Sequence, residues 1–307
     1  MLPSGVFKVV FIGSGGAIPR RGRDLPGIFI EVDRFRILID PSEGSVRRLM
    51  EIGVSPLKLT HILITHIHAD HINGIPGLLA TASMLNKVTP LTIAGPPNAV
   101  EFVKLFTPSS LPFRLNLVSL RGSDEPLTVE DLGNVQIQYI STYHTVDSVA
   151  YSIVLKRPLG RFNPVKAKEL GVPVALWKRL QMGEEVEVNG TVIKPADVLD
   201  EVKYGPIKVT YTGDTMPGPN IVKLAKGSSI LIHDSTYLPE ESSEAGIRGH
   251  STCIDAANDA RESGVEILVL YHMSYRYNDD EYWSFIKCAS AIFPRTLAAY
   301  DGLILEI

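Results

Sequence analysis

The most informative stretch of this sequence is H-I-H-A-D-H at residues 66–71, which directly follows an apolar segment with the pattern of a buried strand. Alternate residues of an extended segment point the same way, so His66 and His68 can bind one metal ion. A turn after them brings Asp70 and His71 toward a second ion. Four potential ligands packed into six residues are typical of a metal site, because isolated histidines are usually hydrogen-bonded core residues.

Three more potential ligands stand at the ends of strand-like segments: His144, Asp214 and His272. Each alone is weak evidence. Together with the first run they make five histidines and two aspartates, enough to hold two ions and leave open positions for water and substrate. The sequence therefore predicts a catalytic centre with two divalent metal ions per subunit. Zn²⁺ is expected, although His and Asp ligands also suit Mn²⁺ or Fe²⁺.

The apolar segments elsewhere predict an α/β fold. Strands are predicted over residues 7–12, 28–32, 36–39, 61–65, 91–94, 135–140, 207–212, 229–233, 265–272 and 297–305. Helices are predicted over residues 45–52, 74–86, 97–106, 218–226, 252–263 and 279–292. Thr252 and Asp255 form a capping-box pattern at the start of one helix. Two β-rich halves flanked by helices indicate a four-layer αββα sandwich, although periodicity alone also permits a doubly wound sheet.

Residues 156–206 interrupt this alternation and are called the arm below. We expect a single domain over residues 1–307 with the arm inserted into it, because no linker-like tract divides the chain. The first half of the arm contains one acidic residue, Glu169, and seven basic residues: Lys156, Arg157, Arg161, Lys166, Lys168, Lys178 and Arg179. Such a patch can bind phosphate groups, but a solvated loop would have the same composition.

The overall composition is that of a globular protein with a large core, with 45% hydrophobic and 21% charged residues. A net charge of −4 gives no general attraction to nucleic acid, so RNA binding would depend on local patches. Cys253 and Cys288 are too few for a disulfide framework, and we find neither a signal-peptide pattern nor an apolar run of ~18 residues. We therefore expect a cytoplasmic protein without a membrane segment.

The ligand pattern resembles that of the metallo-β-lactamase superfamily, in which H-x-H-x-D-H, a later His, an Asp and a last His hold two metal ions. Ala69 stands where that superfamily usually has Gly, a change that affects backbone freedom rather than ligation. The resemblance assigns the first ion to His66, His68 and His144, the second to Asp70, His71 and His272, and the bridge between them to Asp214.

Three further stretches resemble the ribonuclease Z family of that superfamily. G-S-G-G-A-I-P at residues 13–19 resembles the loop that receives the RNA end, which implies substrate contacts from Ser14 and Gly15. H-M-S-Y-R-Y at residues 272–277 resembles the H-x-S-x-R-Y segment and implies a contact from Arg276. The arm resembles the family's flexible arm that grips the body of transfer RNA, which implies RNA contacts from Arg161, Lys166, Lys168 and Lys178.

The arm departs from the family pattern in one place. Pro173 is followed by Val174 where the family usually has a Gly-Pro pair. Trp177, four residues after that proline, then has two interpretations. It either offers a stacking surface to RNA or packs within the arm.

The resemblance implies an endoribonuclease that removes the 3′ trailer from precursor transfer RNA. A hydroxide held between two cations and oriented by Asp70 would attack the phosphate, leaving a 3′ hydroxyl on the transfer RNA and a 5′ phosphate on the trailer. His250, in G-H-S-T at residues 249–252, matches the family's H-S-T segment and is expected to protonate the leaving 3′ oxygen. Asp234, in H-D-S-T where the family has H-E-A-T, is expected to orient His250.

Two alternatives stay open at this point. A small-molecule phosphodiesterase or thioester hydrolase would use the same metal centre but would not need the basic arm. A non-catalytic RNA-binding protein would not need the complete ligand set together with His250. The resemblance also implies a homodimer, in which the arm of one subunit presents precursor transfer RNA to the other.

Overall fold

The computed structural model describes residues 7–157, 160–202 and 205–307. Before the arm, the chain forms β1 (Phe7–Gly13), β2 (Gly15–Gly16), β3 (Gly27–Val32), β4 (Phe35–Ile39), α1 (Ser45–Glu51), β5 (His61–Leu63), α2 (Ala69–Ile72), α3 (Ile75–Met84), β6 (Leu91–Gly95), α4 (Pro97–Phe106), β7 (Leu115–Ser119), β8 (Leu127–Asp131), β9 (Val135–Ser141) and β10 (Val149–Leu155). The arm contains β11 (Gly160–Phe162), α5 (Pro164–Glu169), α6 (Val174–Gln181), β12 (Val186–Val188), β13 (Thr191–Ile193), α7 (Pro195–Val198) and β14 (Leu199–Val202).

After the arm, the chain forms β15 (Ile207–Tyr211), α8 (Pro219–Ala225), β16 (Ile230–Asp234), α9 (Ser242–Arg248), α10 (Cys253–Ser263), β17 (Ile267–Tyr271), β18 (Met273–Ser274), α11 (Tyr282–Ser290), β19 (Thr296–Ala298) and β20 (Ile304–Glu306). Short 3-10 helices cover Pro56–Lys58, Pro239–Glu241 and Asp279–Glu281. Thr252 and Asp255 make both hydrogen bonds of the predicted capping box at the start of α10. Within the described ranges, no helix is long and apolar enough to span a bilayer.

Two seven-stranded sheets form the centre of the molecule, one in the order β20-β1-β3-β4-β5-β6-β7 and the other in the order β19-β17-β16-β15-β10-β9-β8. Their facing sides share one core, in which Phe11 and Ile30 of the first sheet join Tyr151 and Val209 of the second. Helices α1, α3 and α4 cover the outer side of the first sheet, and α10 and α11 that of the second. The predicted four-layer αββα sandwich is confirmed.

Strand direction gathers the polar strand ends at one edge of the sandwich. In the first sheet β4, β5, β6 and β7 run parallel, and in the second β15, β16, β17 and β19 do. Residues that follow β5, β15, β16 and β17 therefore emerge close together. This is the usual location of ligand sites in sheets with parallel strands.

The prediction of one last strand over residues 297–305 is wrong. β19 pairs with β17 of the second sheet, whereas β20 pairs with β1 of the first. The chain turns between them at Asp301 and Gly302, where Gly302 has a φ of 89°. Apolar residues continue on both sides of this turn, so periodicity alone did not reveal that the chain changes sheets.

The described part of the arm is folded around a small core of its own. Strands β11 and β14 pair, β12 and β13 form a hairpin, and apolar side chains such as Leu180 and Val198 are buried between them and the short helices. Trp177 packs within the arm, because its ring lies 5.2 Å from that of Phe162 and its Nε1–H donates to the Val172 carbonyl. These contacts support the interpretation that Trp177 packs within the arm. Residues 158, 159, 203 and 204 of the arm lie outside the described residues.

Cys253 and Cys288 form a disulfide bond between α10 and α11, with their Cα atoms 6.5 Å apart. One bond is not a disulfide framework, so the expectation from the cysteine count stands, although it did not predict this pairing. The two residues are 35 positions apart in sequence, and only the packing of the two helices brings them together. Such a pairing cannot be deduced from the number of cysteines.

Candidate metal centre

The first four candidate ligands take their positions from an abrupt change of backbone at the end of β5. His68 is still extended, with φ −61° and ψ 145°, and α2 begins at the next residue. His66 and His68 therefore project from extended chain, while Asp70 and His71 project from the first turn of a helix. This is the arrangement that the spacing predicted.

The first ligand cluster consists of His66, His68, His144 and Asp214, whose candidate ligand atoms lie within 4.8 Å of one another. His68 Nδ1 lies 3.0 Å from His66 Nε2 and 3.1 Å from His144 Nε2. Asp214 Oδ2 is 3.7 Å from His66 Nε2. His144, from the loop between β9 and β10, thus meets ligands from the other sheet.

The second ligand cluster consists of Asp70, His71 and His272. His71 Nε2 lies 3.3 Å from His272 Nε2, and Asp70 Oδ2 is 3.4 Å from His272 Nε2. Asp214 also reaches this cluster, because its Oδ1 lies 3.4 Å from His71 Nε2 and its Oδ2 lies 3.4 Å from His272 Nε2. Its carboxylate therefore stands between the two clusters.

The outer ring nitrogens of four of the five histidines are anchored, which leaves their inner nitrogens directed into the clusters. His144 Nδ1 donates to the Gly249 carbonyl over 2.6 Å, and His71 Nδ1 lies 2.9 Å from Asp40 Oδ2. The Nδ1 atoms of His66 and His272 are 2.9 Å from the hydroxyls of Thr65 and Thr236 respectively. Hydrogen bonds of this kind fix the tautomer and orientation of a metal-binding imidazole.

Asp40 was not predicted from the sequence, yet it lies beneath the centre and is fully buried. Besides His71, it contacts Thr65 through two hydrogen bonds and accepts one from the Tyr211 hydroxyl. Its position directly after β4, at the same sheet edge as the other polar strand ends, is the signal that would have identified it. Asp40 thus holds the candidate ligand His71 in place and belongs to neither ligand cluster.

The donor set fits divalent cations. The facing ring nitrogens lie 3.0, 3.1 and 3.3 Å apart, close to the ~3.3 Å expected of two ligands each about 2.0–2.1 Å from one tetrahedral ion. Asp214 Oδ1 is buried and has no hydrogen-bond partner among the described residues. Burial alone would raise the pKa values of Asp70 and Asp214, but neighbouring histidines hold both below their usual range, so both are ionised. Burial and His71 hold the pKa of His66 well below its ordinary value, in the neutral form that binds metals.

His250 lies beside both clusters. Its ring stacks on that of His272 with centroids 5.4 Å apart and lies 5.1 Å from that of His144. Its Nδ1 is 2.8 Å from Oδ2 of the buried Asp234, as expected for an orienting carboxylate. Burial would lower the pKa of His250, but the charge and hydrogen bond of Asp234 raise it to about 9.

The glycine-rich loop reaches the site through different atoms than predicted. Ser14 is buried and its hydroxyl donates to Asp301, so the structure does not direct this side chain to a substrate. Gly15 is likewise buried and donates its N–H to the Asp24 carbonyl. The next two residues make the contacts: the Ala17 N–H donates to Asp70 Oδ2 over 2.8 Å, and an added Cβ at Gly16 would lie 2.5 Å from the His272 ring.

The predicted RNA-contacting cations are separate from the ligand clusters. Arg276 is at the surface, with its guanidinium 3.4 Å from Glu241 and 5.8 Å from the centre of the Tyr237 ring. The arm carries the other four in exposed positions: Arg161, Lys166, Lys168 and Lys178. Lys166 lies 3.3 Å from Asp200. The structure shows where these side chains lie but not what they bind.

The fold and the clustered ligands define a metal-dependent hydrolase of the metallo-β-lactamase superfamily. The family model described as "Metallo-beta-lactamase superfamily" matches residues 27–157. Relatives named Ribonuclease Z include those of Methanosarcina mazei, 34% identical over 98% of both chains, and Aeropyrum pernix, 36% identical over 99% of both. The chain therefore belongs to the ribonuclease Z family.

Two solved structures share the fold over nearly the full length. The short form of human tRNase Z superimposes with a TM-score of 0.68, at 22% identity, over 97% of this chain and 98% of its own. The metallo-beta-lactamase fold protein YhfI from Bacillus subtilis gives a TM-score of 0.71, at 19% identity, over 98% of this chain and 100% of its own.

Proposed function

We propose that this protein is an endoribonuclease that removes the 3′ trailer from precursor transfer RNA with the aid of two divalent metal ions, of which zinc is expected. The observation that supports this best is the position of Asp214, whose carboxylate is within 3.7 Å of histidines from both ligand clusters. His66, His68 and His144 would hold one ion, Asp70, His71 and His272 would hold the other, and Asp214 would contact both.

Divalent ions bound by these residues would lower the pKa of water and neutralise the charge of a phosphate group under attack. The chain's own groups move the protons. Asp70 is ionised and can accept a proton from the attacking water, while the Ala17 N–H holds one of its oxygens in place. His250, kept protonated by Asp234, can donate its proton to the 3′ oxygen as that oxygen leaves the phosphorus.

This division of roles determines the products. Water attacks the phosphorus and the 3′ oxygen leaves with a proton, so the transfer RNA retains a 3′ hydroxyl and the trailer a 5′ phosphate. The neighbouring 2′ hydroxyl takes no part as a nucleophile. Asp70 and His250 therefore act on opposite sides of the same phosphate.

The structure of the arm favours a large RNA as the substrate over a small molecule. It has its own core, and it presents its cations in exposed positions, where phosphate contacts supply salt-dependent affinity. A small phosphodiester or thioester would not need this structure. A transfer RNA substrate also implies a cytoplasmic enzyme.

The comparison of substrates tests this proposal. Purified metal-loaded protein should cleave a precursor transfer RNA with a kcat/KM far above that for a small chromogenic phosphodiester. It should have no activity on a thioester of the glutathione type. A higher kcat/KM for either small molecule would contradict the proposal and favour the small-molecule hydrolase.

We also propose that the protein is a homodimer. Helices α1, α3 and α4 expose large apolar side chains, since Met50, Met84, Leu105 and Phe106 are each more than half exposed. Exposed apolar surface on one outer layer fits a second copy of the chain. The molar mass by light scattering should be that of a dimer and should fall to that of a monomer in Leu105→Glu/Phe106→Glu. A monomeric wild-type protein would contradict the dimer.

A further inference from the structure

A cavity of about 580 Å³ opens beside His144 and is called the Tyr143 cavity below. It lies between the two sheets, where β6, β7 and β9 end, and its lining includes Pro96, Arg121, Tyr143 and Asp147. Its volume is within the ~300–1,000 Å³ usual for pockets that hold small organic ligands. Apart from His144, its lining residues belong to neither ligand cluster.

The aromatic wall of the cavity is held in place. The Tyr143 ring is 40% exposed and lies against Gly218, where an added Cβ would be 2.8 Å from ring carbon Cε2. The backbone is fixed as well, because the Tyr143 carbonyl accepts from the Met216 N–H over 2.8 Å and the Tyr143 N–H lies 3.3 Å from the Thr215 hydroxyl. A fixed aromatic face binds a nucleobase with little loss of side-chain entropy.

The charged members of the cavity suit the rest of a nucleotide. Arg121 and Asp147 are exposed, and neither has an ion-pair partner among the described residues. A guanidinium can bind two oxygens of one phosphate, and a carboxylate can accept a hydrogen bond from a ribose hydroxyl or a base amino group. Arg121 is therefore free to bind an anion next to the metal centre.

We propose that the Tyr143 cavity binds the nucleoside directly adjacent to the scissile phosphate, with its base stacked on Tyr143 and a neighbouring phosphate on Arg121. This inference rests on the proposed function, since it names a subsite for the RNA that the metal centre cleaves. The last nucleotide of the transfer RNA and the first of the trailer both flank that phosphate and offer the same chemistry. The experiment distinguishes them.

The test uses three precursor transfer RNAs: an intact one, one without the base on the transfer RNA side of the cleaved bond, and one without the base on the trailer side. On intact RNA, Tyr143→Ala should lower kcat/KM by about tenfold or more, because one base-stacking contact is lost. Tyr143→Phe keeps the ring and should keep the activity. On the RNA that lacks the bound base, wild type and Tyr143→Ala should be equal, since ring and base make one contact. The RNA that shows this equality identifies the nucleotide.

Tyr300→Ala is the matched control, because it removes a 57% exposed tyrosine outside the cavity, and it should equal wild type on all three RNAs. Metal content and melting temperature are measured for every variant. If Tyr143→Ala is impaired in either, Tyr143→Leu, which keeps apolar contact with Gly218, replaces it. The inference is overturned if the variant loses the same factor on all three RNAs, or loses nothing. If wild type cleaves no precursor at all, the proposed function fails and the subsite with it.

Discussion

Replacing Asp234 with Asn should shift the pH dependence of RNA cleavage, because Asp234 keeps His250 protonated. The pKa of His250 is raised to about 9, against about 6.5 for an ordinary histidine, a difference of roughly 3 kcal/mol in favour of the protonated ring. Asn carries no charge and offers a weaker acceptor. Burial would then be opposed mainly by the more distant Asp214, and the pKa of His250 should fall toward its ordinary value.

The direction of this shift in the pH profile follows from the role of His250 as an acid. Activity is full while the ring is protonated and is lost as the pH rises through its pKa, so Asp234→Asn should move the alkaline limb to lower pH. With a pKa of about 9 the ring is about 90% protonated at pH 8, and with an ordinary value about 3%, which corresponds to a roughly 30-fold loss. Bound cations lower the pKa of His250 in both proteins, so the difference between them is the quantity to compare.

The assay is kcat/KM on a precursor transfer RNA between pH 5.5 and 10, with metal content verified for each protein. A nitrophenyl phosphodiester provides an internal comparison. Its leaving group needs little protonation, so its hydrolysis should respond much less to Asp234→Asn. Asp131→Asn is the matched control, since it neutralises an exposed carboxylate that pairs with Lys156 at the edge of the second sheet. An alkaline limb that stays in place in Asp234→Asn would refute the assignment of His250 as the acid.

Further predictions concern the metal centre and the arm. Asp214→Ala should lower the bound metal measured by atomic emission and abolish hydrolysis, and full metal content with unchanged activity would contradict its bridging position. Asp40→Asn should weaken metal binding by about 10–100-fold, as is usual when the partner of a metal-binding histidine is changed, and an unchanged affinity in a chelator titration would show that His71 needs no such support. Leu155 and Ile207 are paired across β10 and β15, so a short turn can replace residues 157–205. This deletion should raise KM for precursor transfer RNA but leave nitrophenyl phosphodiester hydrolysis intact. Loss of both activities in a folded, metal-loaded protein would place the arm in the catalytic centre. Charge reversal at Lys166, Lys168 and Lys178 should also reduce the salt dependence of RNA affinity, with Lys104→Glu as the control outside the arm.

The candidate ligands could be found in the sequence because their chemistry is local. His66, His68, Asp70 and His71 lie within one strand end and one helical turn, and the spacing alone determines how their side chains point. The more distant His144, by contrast, was identified as the end of a predicted strand and by resemblance. Its partner at Nδ1, the Gly249 carbonyl, depends on the fold.

The features that escaped prediction all depend on contacts between distant segments. Asp40 supports His71 from 31 positions away, and the Ser14 hydroxyl is occupied by a residue 287 positions away. The turn at Gly302 moves the chain from one sheet to the other within a continuous apolar pattern. Packing decides these cases, and neither periodicity nor motif spacing records it.

The chemical nature of the two new RNA ends distinguishes hydrolysis by a metal-activated water from cleavage by the neighbouring 2′ hydroxyl. A precursor transfer RNA is cleaved by the metal-loaded protein, and both fragments are analysed by mass spectrometry. We expect a 3′ hydroxyl on the transfer RNA and a 5′ phosphate on the trailer, with no product when a chelator is present. A 2′,3′-cyclic phosphate on the transfer RNA, or cleavage that persists in the chelated protein, would contradict it.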